Sequence, residues 1–203
     1  NATVIRVGIA DTLKGIRDIE RIAGKISNNN LTPRDCEALG KSLALIPNLK
    51  FQLSGFCSKE VKAISDALGD FSSLTDLLQR AFIENPPVNV KEGGYIRKGY
   101  SAELDEFRDI RDIGARMIGE MESRERGKTG IKNLKIKFNR VFGYMIEVTN
   151  SFKDKVPFEY HRRQTLAGAE RYVTDELKAV EEKIMTSTER SLSLEVELFN
   201  QIR

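Results

Sequence analysis

The chain has 203 residues, 33 basic and 30 acidic, so nearly a third of it is charged while the net charge is only +3. That balance excludes a polycationic tail and an acidic disordered chain, and 40% apolar residues suffice for a core in one or two domains. No run approaches the roughly 18 uninterrupted apolar residues of a membrane helix, and the start lacks the order of a signal peptide, so a cytoplasmic protein with no membrane partner is expected.

Two cysteines, Cys36 and Cys57, lack Cys-x-x-Cys spacing and are expected to be reduced packing residues. His161 is the single histidine. A multi-histidine metal site is therefore excluded, and no Gly-x-Ser-x-Gly motif offers His161 a nucleophile to serve, so it reads as a partly exposed polar residue.

Residues 1 to about 80 read as short helices. Leu13, Ile16, Ile19, Ile22 and Ile26 recur at steps of three and four, the spacing of one helix face, until Ser27-Asn28-Asn29-Asn30 ends the pattern. Thr32-Pro33 supplies a cap and a first helical residue for a second helix to about Ile46, where Pro47 interrupts. Ser58 opens a third helix to Leu68, and Phe71 to Phe82 a fourth with Leu74, Leu77 and Leu78 inward. Asn85-Pro86-Pro87 stops helix formation, and Val88 to Tyr100 reads as a hairpin or loop.

Ser101 is expected to cap a long helix, residues 102 to about 126, with the mixed charges of a solvated face. Thr174 is expected to cap another from Asp175 to Arg203, on the order of 43 Å long, with a seam of Leu177, Val180, Ile184, Ser187, Ser191, Leu194 and Leu198. Between them the period changes to two. Leu134 to Phe138 and Tyr144 to Val148 alternate about a turn at Asn139-Arg140, and residues 161–166 and 169–173 form two further strands.

Residues 127 to 163 hold nine basic side chains, Lys128, Lys132, Lys135, Lys137, Arg140, Lys153, Lys155, Arg162 and Arg163, against Glu147, Asp154 and Glu159. The local +6 leaves −3 for the remainder. Such an excess on a small module fits contact with nucleic-acid phosphates, with Lys135 and Lys137 spaced to follow a backbone, although a solvated strand face would carry the same signature. Gly127-Lys128-Thr129 imitates the end of a phosphate-binding loop, but position 122 is Glu122 instead of glycine, and a helix precedes the motif where a strand is required.

The string GIKNLKIKFNRVFGYMIEVTNSFKDKVPFEYHRRQTLAGAERYVTDELKAVEEKI at residues 130–184 closely resembles the clamp region of the MutS family of DNA mismatch-repair proteins. RDIERIAGKI at 17–26, PPVNVKEGGYIRKGYSAELDEFR at 86–108 and SRERGKTGIKNLKI at 123–136 resemble the same family in the same order. The resemblance implies a mainly α fold, a helical core with two long antiparallel lever helices carrying a small antiparallel β-rich clamp. The corresponding divisions are core and outgoing lever at 1–126, clamp at 127–174 and returning lever at 175–203. It further implies a dimer with a second full-length copy, closing around double-stranded DNA and holding its backbone without reading sequence.

Together with the charge count it points to Lys128, Lys132, Lys135, Lys137, Arg140, Arg162, Arg163, Gln164, Thr165, Ala167 and Gly168 as the DNA-contacting residues. Family contacts cluster at the turn matching Thr165-Leu166-Ala167-Gly168, where relatives often carry lysine or asparagine; here glycine lets a backbone N–H approach a phosphate. The family's mismatch-reading and ATP-hydrolysing domains have no counterpart in these residues. The chain is thus expected to be a piece of a larger repair protein, Asn1-Ala2 a vector remnant, with no enzymatic activity and no cofactor, ATP and Mg belonging to the missing domain. The alternative is a structural lever that transmits motion to that domain without measurable DNA binding.

Overall fold

The computed structural model describes residues 2–203; Asn1, at which a vector remnant was expected, lies outside the described residues. The protein is mainly helical with one four-stranded antiparallel sheet, and divides into two compact units. The first comprises residues up to Ser101 together with Leu194–Arg203, the second Ala102–Ser193.

Six helices build most of the first unit: α1 (Ala2–Gly15), α2 (Ile19–Ser27), α3 (Pro33–Ala44), α4 (Ile46–Leu53), α5 (Lys59–Ala67) and α6 (Ser72–Ala81). The isoleucine pattern that reads as one helix is split between α1 and α2. Asp18 is the reason: it leaves the helical conformation and its carboxylate accepts the Arg21 N–H, capping a new helix. Ile22 is buried, whereas Leu13 and Ile26 are exposed. Thr32 caps α3 as expected, in a reciprocal box with Asp35, and Lys25 of α2 reaches the same Asp35 at 2.7 Å. Pro47 opens α4 instead of merely interrupting α3. In α6 the inward residues are Thr75, Leu78 and Ala81, and Leu74 faces solvent. Cys36 is buried and its thiol pushed up to about 12 by desolvation, whereas Cys57 is exposed and free, so it does not pack as expected.

Residues 85–100 contain a 3₁₀ turn (Val90–Glu92) and one bridge between Phe82 and Ile96 in place of a regular hairpin. Helix α8 (Asp175–Ile202) supplies its last turns to this unit. Its buried Glu195 accepts the N–H groups of Gly94 at 2.6 Å and Ile96 at 3.0 Å, and Phe199 meets Phe82 and Tyr95 edge-on. The expected seam therefore shifts at this end, to Glu195 and Phe199 from Leu194 and Leu198, which are only half-buried.

The second unit contains α7 (Ala102–Thr129), the rest of α8 and strands β1 (Lys135–Asn139), β2 (Gly143–Thr149), β3 (His161–Thr165) and β4 (Ala169–Val173), in the order β1-β2-β4-β3. Within it the two helices run antiparallel: Arg124 pairs with Glu176 at 2.6 Å, Gly114 meets Ile184, and Arg190 lies 6.0 Å from the Phe107 ring centre. Thr174 caps α8 through the Leu177 N–H, as expected. Ile118 and Met121 of α7 and Leu177, Val180 and Ile184 of α8 form one core with Ile146, Val148 and Tyr172 of the sheet. No helix among the described residues is long and apolar enough to cross a membrane.

A Cβ at Gly114 would collide with the Ile184 side chain, while one at Gly119 on the same helix meets open space. Gly114→Ala is therefore expected to destabilise the protein by about 1–3 kcal/mol through overpacking, and Gly119→Ala to stabilise it by about 0.5–1 kcal/mol through helix propensity. Urea unfolding of the two variants checks the opposite signs.

Candidate nucleic-acid interface

The last turns of α7 place the sheet. Glu122 accepts the Ile136 N–H of edge strand β1 at 2.6 Å and the Arg126 guanidinium at 2.6 Å, and Arg126 also donates to the Leu134 carbonyl at 2.7 Å. Buried Glu125 accepts the Tyr160 hydroxyl at 2.6 Å, which, with desolvation as the larger cause, raises the Tyr160 pKa. Helix α7 runs to Thr129, beyond the expected end near 126, and so includes Lys128.

Antiparallel register assigns the sheet's faces. Ile136, Ile146 and Tyr172 lie side by side on the core face, while Lys135 opposes Glu147, Lys137 opposes Met145, and Glu147 opposes Arg171 on the outer face. Gln164 extends that row onto β3, past a bulge between Arg162 and Gln164. Met145 is buried although it stands opposite Lys137 in the outer row.

The basic side chains fall into three groups. Lys137 binds Glu147 at 2.7 Å, Arg171 binds the other Glu147 oxygen at 2.9 Å and Gln164 at 2.9 Å, Lys128 binds Glu159 at 2.8 Å, and Arg162 binds Glu170 at 3.3 Å. Lys132, Lys135, Lys153, Lys155 and Arg163 are exposed and have no ion pair among the described residues, Lys155 lying 5.7 Å from the Phe152 ring centre. Arg140 is unpaired as well, but it sits in the β1–β2 turn, at the sheet end where β4 leads into α8. Beside this turn Gly143 has a φ of 75°, and its backbone adjoins the Glu181 carboxylate, which accepts the Tyr144 N–H at 3.2 Å.

The opposite, far end of the sheet gathers the start of β1, the end of β2, the end of β3 and the start of β4. Asn133 donates to the Thr149 hydroxyl at 2.7 Å, and Asn150 donates to the Gly168 carbonyl through its N–H at 3.1 Å and to the Ala167 carbonyl through its side chain at 3.2 Å. The turn expected to contact DNA is thus brought beside Asn150 and, through Thr149 opposite Ala169, toward Asn133 and Ser151. Thr165, Ala167 and Gly168 are exposed there, and Gly168 is not in the left-handed region, so a side chain would enter open space without strain. The polar residues Asn133, Thr149, Asn150 and Ser151 carry no charge and no motif, and sequence reasoning did not find them.

Hydrogen bonding to Lys137, then to Arg171, holds the Glu147 carboxyl below the usual glutamate value. A depressed folded-state pKa contributes stability that is whole above the unfolded value and disappears as pH falls through the folded one. Glu147→Gln is expected to lower the melting temperature at neutral pH, with the deficit vanishing in acid below the ordinary glutamate range; scanning calorimetry across pH checks this.

Residues 99–190 match the MutS family domain IV. The DNA mismatch repair protein MutS of Lachnoclostridium phytofermentans is 44% identical over 200 residues, covering 98% of this chain and 22% of that protein. The MutS proteins of Methanosarcina acetivorans and Methanothrix thermoacetophila are 44% and 46% identical, each covering 98% of the chain, which spans 23% and 24% of their lengths. The chain is similar over 98% of its length to MutS proteins, its residues 99–190 matching their domain IV, and it corresponds to a segment of about a quarter of their length.

Proposed function

We propose that this segment grips the backbone of duplex DNA without reading its sequence, through the far end of the four-stranded sheet. The observation that carries the reading is electrostatic: Lys132, Lys135 and Lys153 stand without ion pairs among the described residues toward the end of the sheet that holds the exposed Ala167-Gly168 turn, while Lys128, Lys137, Arg162 and Arg171 are held by carboxylates. Unneutralised cations displace counterions from DNA, and uncharged Asn and Ser side chains position phosphates without discriminating bases. Arg140 and Lys137 are left out of this footprint, the first by its place at the other end, the second by its ion pair.

The segment is assigned no reaction, ATP and Mg serving a domain outside it. The whole protein acts in the cytoplasm as a dimer that closes on DNA. A lever role alongside DNA binding is favoured by α8, one continuous helix that contributes to both units.

Fluorescence anisotropy with a labelled duplex tests the reading. Binding is expected in the range of roughly 10⁻⁴ to 10⁻⁶ M at physiological salt, equal for matched and mismatched duplex. Replacing Lys132, Lys135 and Lys153 by alanine should flatten the salt slope by about 2–3, Arg140→Ala should leave it unchanged, and Ala167→Lys should steepen it by about 1. A slope indifferent to the triple substitution, or a mismatch preference, contradicts the proposal.

A further inference from the structure

We infer that Glu147 is a built-in competitor for phosphate: by occupying Lys137 and Arg171 on the outer face of the sheet, it holds DNA affinity below what the module's cations would otherwise give. The inference rests on the DNA-backbone reading and concerns how strongly that interface binds.

Three carboxylates hold cations in this module, and they are not equivalent. Glu159 holds Lys128 in a pair whose side chains are 42% and 55% exposed. Glu170 holds Arg162 at 3.3 Å and also accepts the Tyr172 hydroxyl. The exposed Lys128–Glu159 pair opens at little cost, so a nearby phosphate can recruit Lys128, whereas Glu170 is 14% exposed but holds a single cation, Arg162, which is itself 62% exposed. Glu147 differs from both in binding two cations at once, one on each oxygen. Arg171 is fixed from its other side by Gln164, and the register sets β1, β2, β4 and β3 in one row, so the cluster is cross-linked over the whole width of the sheet. A phosphate over this face has to displace a doubly paired carboxylate and meets its repulsion meanwhile. Lys135, opposite Glu147 in the register but without an ion pair among the described residues, marks where the free cations begin. Restraint of this kind suits a clamp that holds duplex without sequence preference, because an interface made wholly of free cations releases slowly at low salt.

The test compares Glu147→Gln with Asp154→Asn in the 203-residue chain. Asp154 is an exposed residue of the same module with no ion pair among the described residues, so both variants add one unit of positive charge and only the first releases paired cations. Duplex anisotropy over a salt series is expected to show Glu147→Gln binding roughly three- to tenfold tighter near 0.1 M salt with a slope steeper by about 1–2, and Asp154→Asn within about twofold of the parent. Adding Lys137→Met to Glu147→Gln should remove about half of the gain in slope. Equal effects of Glu147→Gln and Asp154→Asn, or a gain that survives Lys137→Met, overturn the inference while leaving DNA binding intact. If Glu147→Gln does not fold, single variants decide: Lys137→Met should leave parental affinity unchanged and Lys135→Met should lower it severalfold, and equal losses overturn the inference. Absence of salt-dependent binding by the parent chain fails the underlying reading instead.

Discussion

The last two turns of α7 are the constraint on which the charged module depends. A sheet of four short strands with one apolar face is marginal alone and leaves edge groups unpaired. Glu122 satisfies the N–H of Ile136 on edge strand β1 and Arg126 the carbonyl of Leu134 just before it, and Glu125 anchors Tyr160 just before β3. These contacts, with the core formed against Ile118, Met121, Leu177 and Val180, decide which face of the sheet is buried. Lys135, Lys137 and Arg171 are thereby set on the outer face, whereas Arg162, on edge strand β3, stands in register with Tyr172 of the core face.

Charge is then sorted by geometry. Carboxylates on neighbouring strands and loops take up Lys128, Lys137, Arg162 and Arg171, of which Lys137 and Arg171 share Glu147 on the outer face. The far end holds one such carboxylate, Glu170 at the start of β4, which is taken by Arg162, and its other hydrogen-bonding groups are amides and hydroxyls. Fold and electrostatics thus agree on where a polyanion can be met without first breaking an ion pair. In the first unit a carboxylate serves a different purpose: Glu195 is consumed by the backbone N–H groups of Gly94 and Ile96, fixing the loop on which the end of α8 rests.

Much of this was legible in the sequence where a local rule governs. The strand alternation, the caps at Thr32, Ser58 and Thr174 and the turn near Asn139 follow from side-chain period and capping chemistry, and the structure has them. What escaped were decisions made by tertiary partners. Asp18 breaks an unbroken apolar period because its carboxylate can cap a new helix, and Glu195 replaces Leu194 in the seam because the buried N–H of Ile96, with that of Gly94 beside it, requires an acceptor. The charge count found the basic module, but pairing is invisible to a count: Glu170 lies outside the counted stretch yet neutralises Arg162 within it. Asn133, Asn150 and Ser151 were silent for the same reason, since only the register brings them to the Ala167-Gly168 turn.

The central claim, that DNA meets the far end of the sheet, is tested most directly by backbone amide chemical-shift mapping of the isotopically labelled chain during titration with duplex DNA. Shifts concentrated at residues 132–135, 149–153 and 165–169, with α1 to α6 and the Arg140 turn silent, are the expected result. Shifts centred on the Arg140 turn or on the helices of the first unit would contradict it.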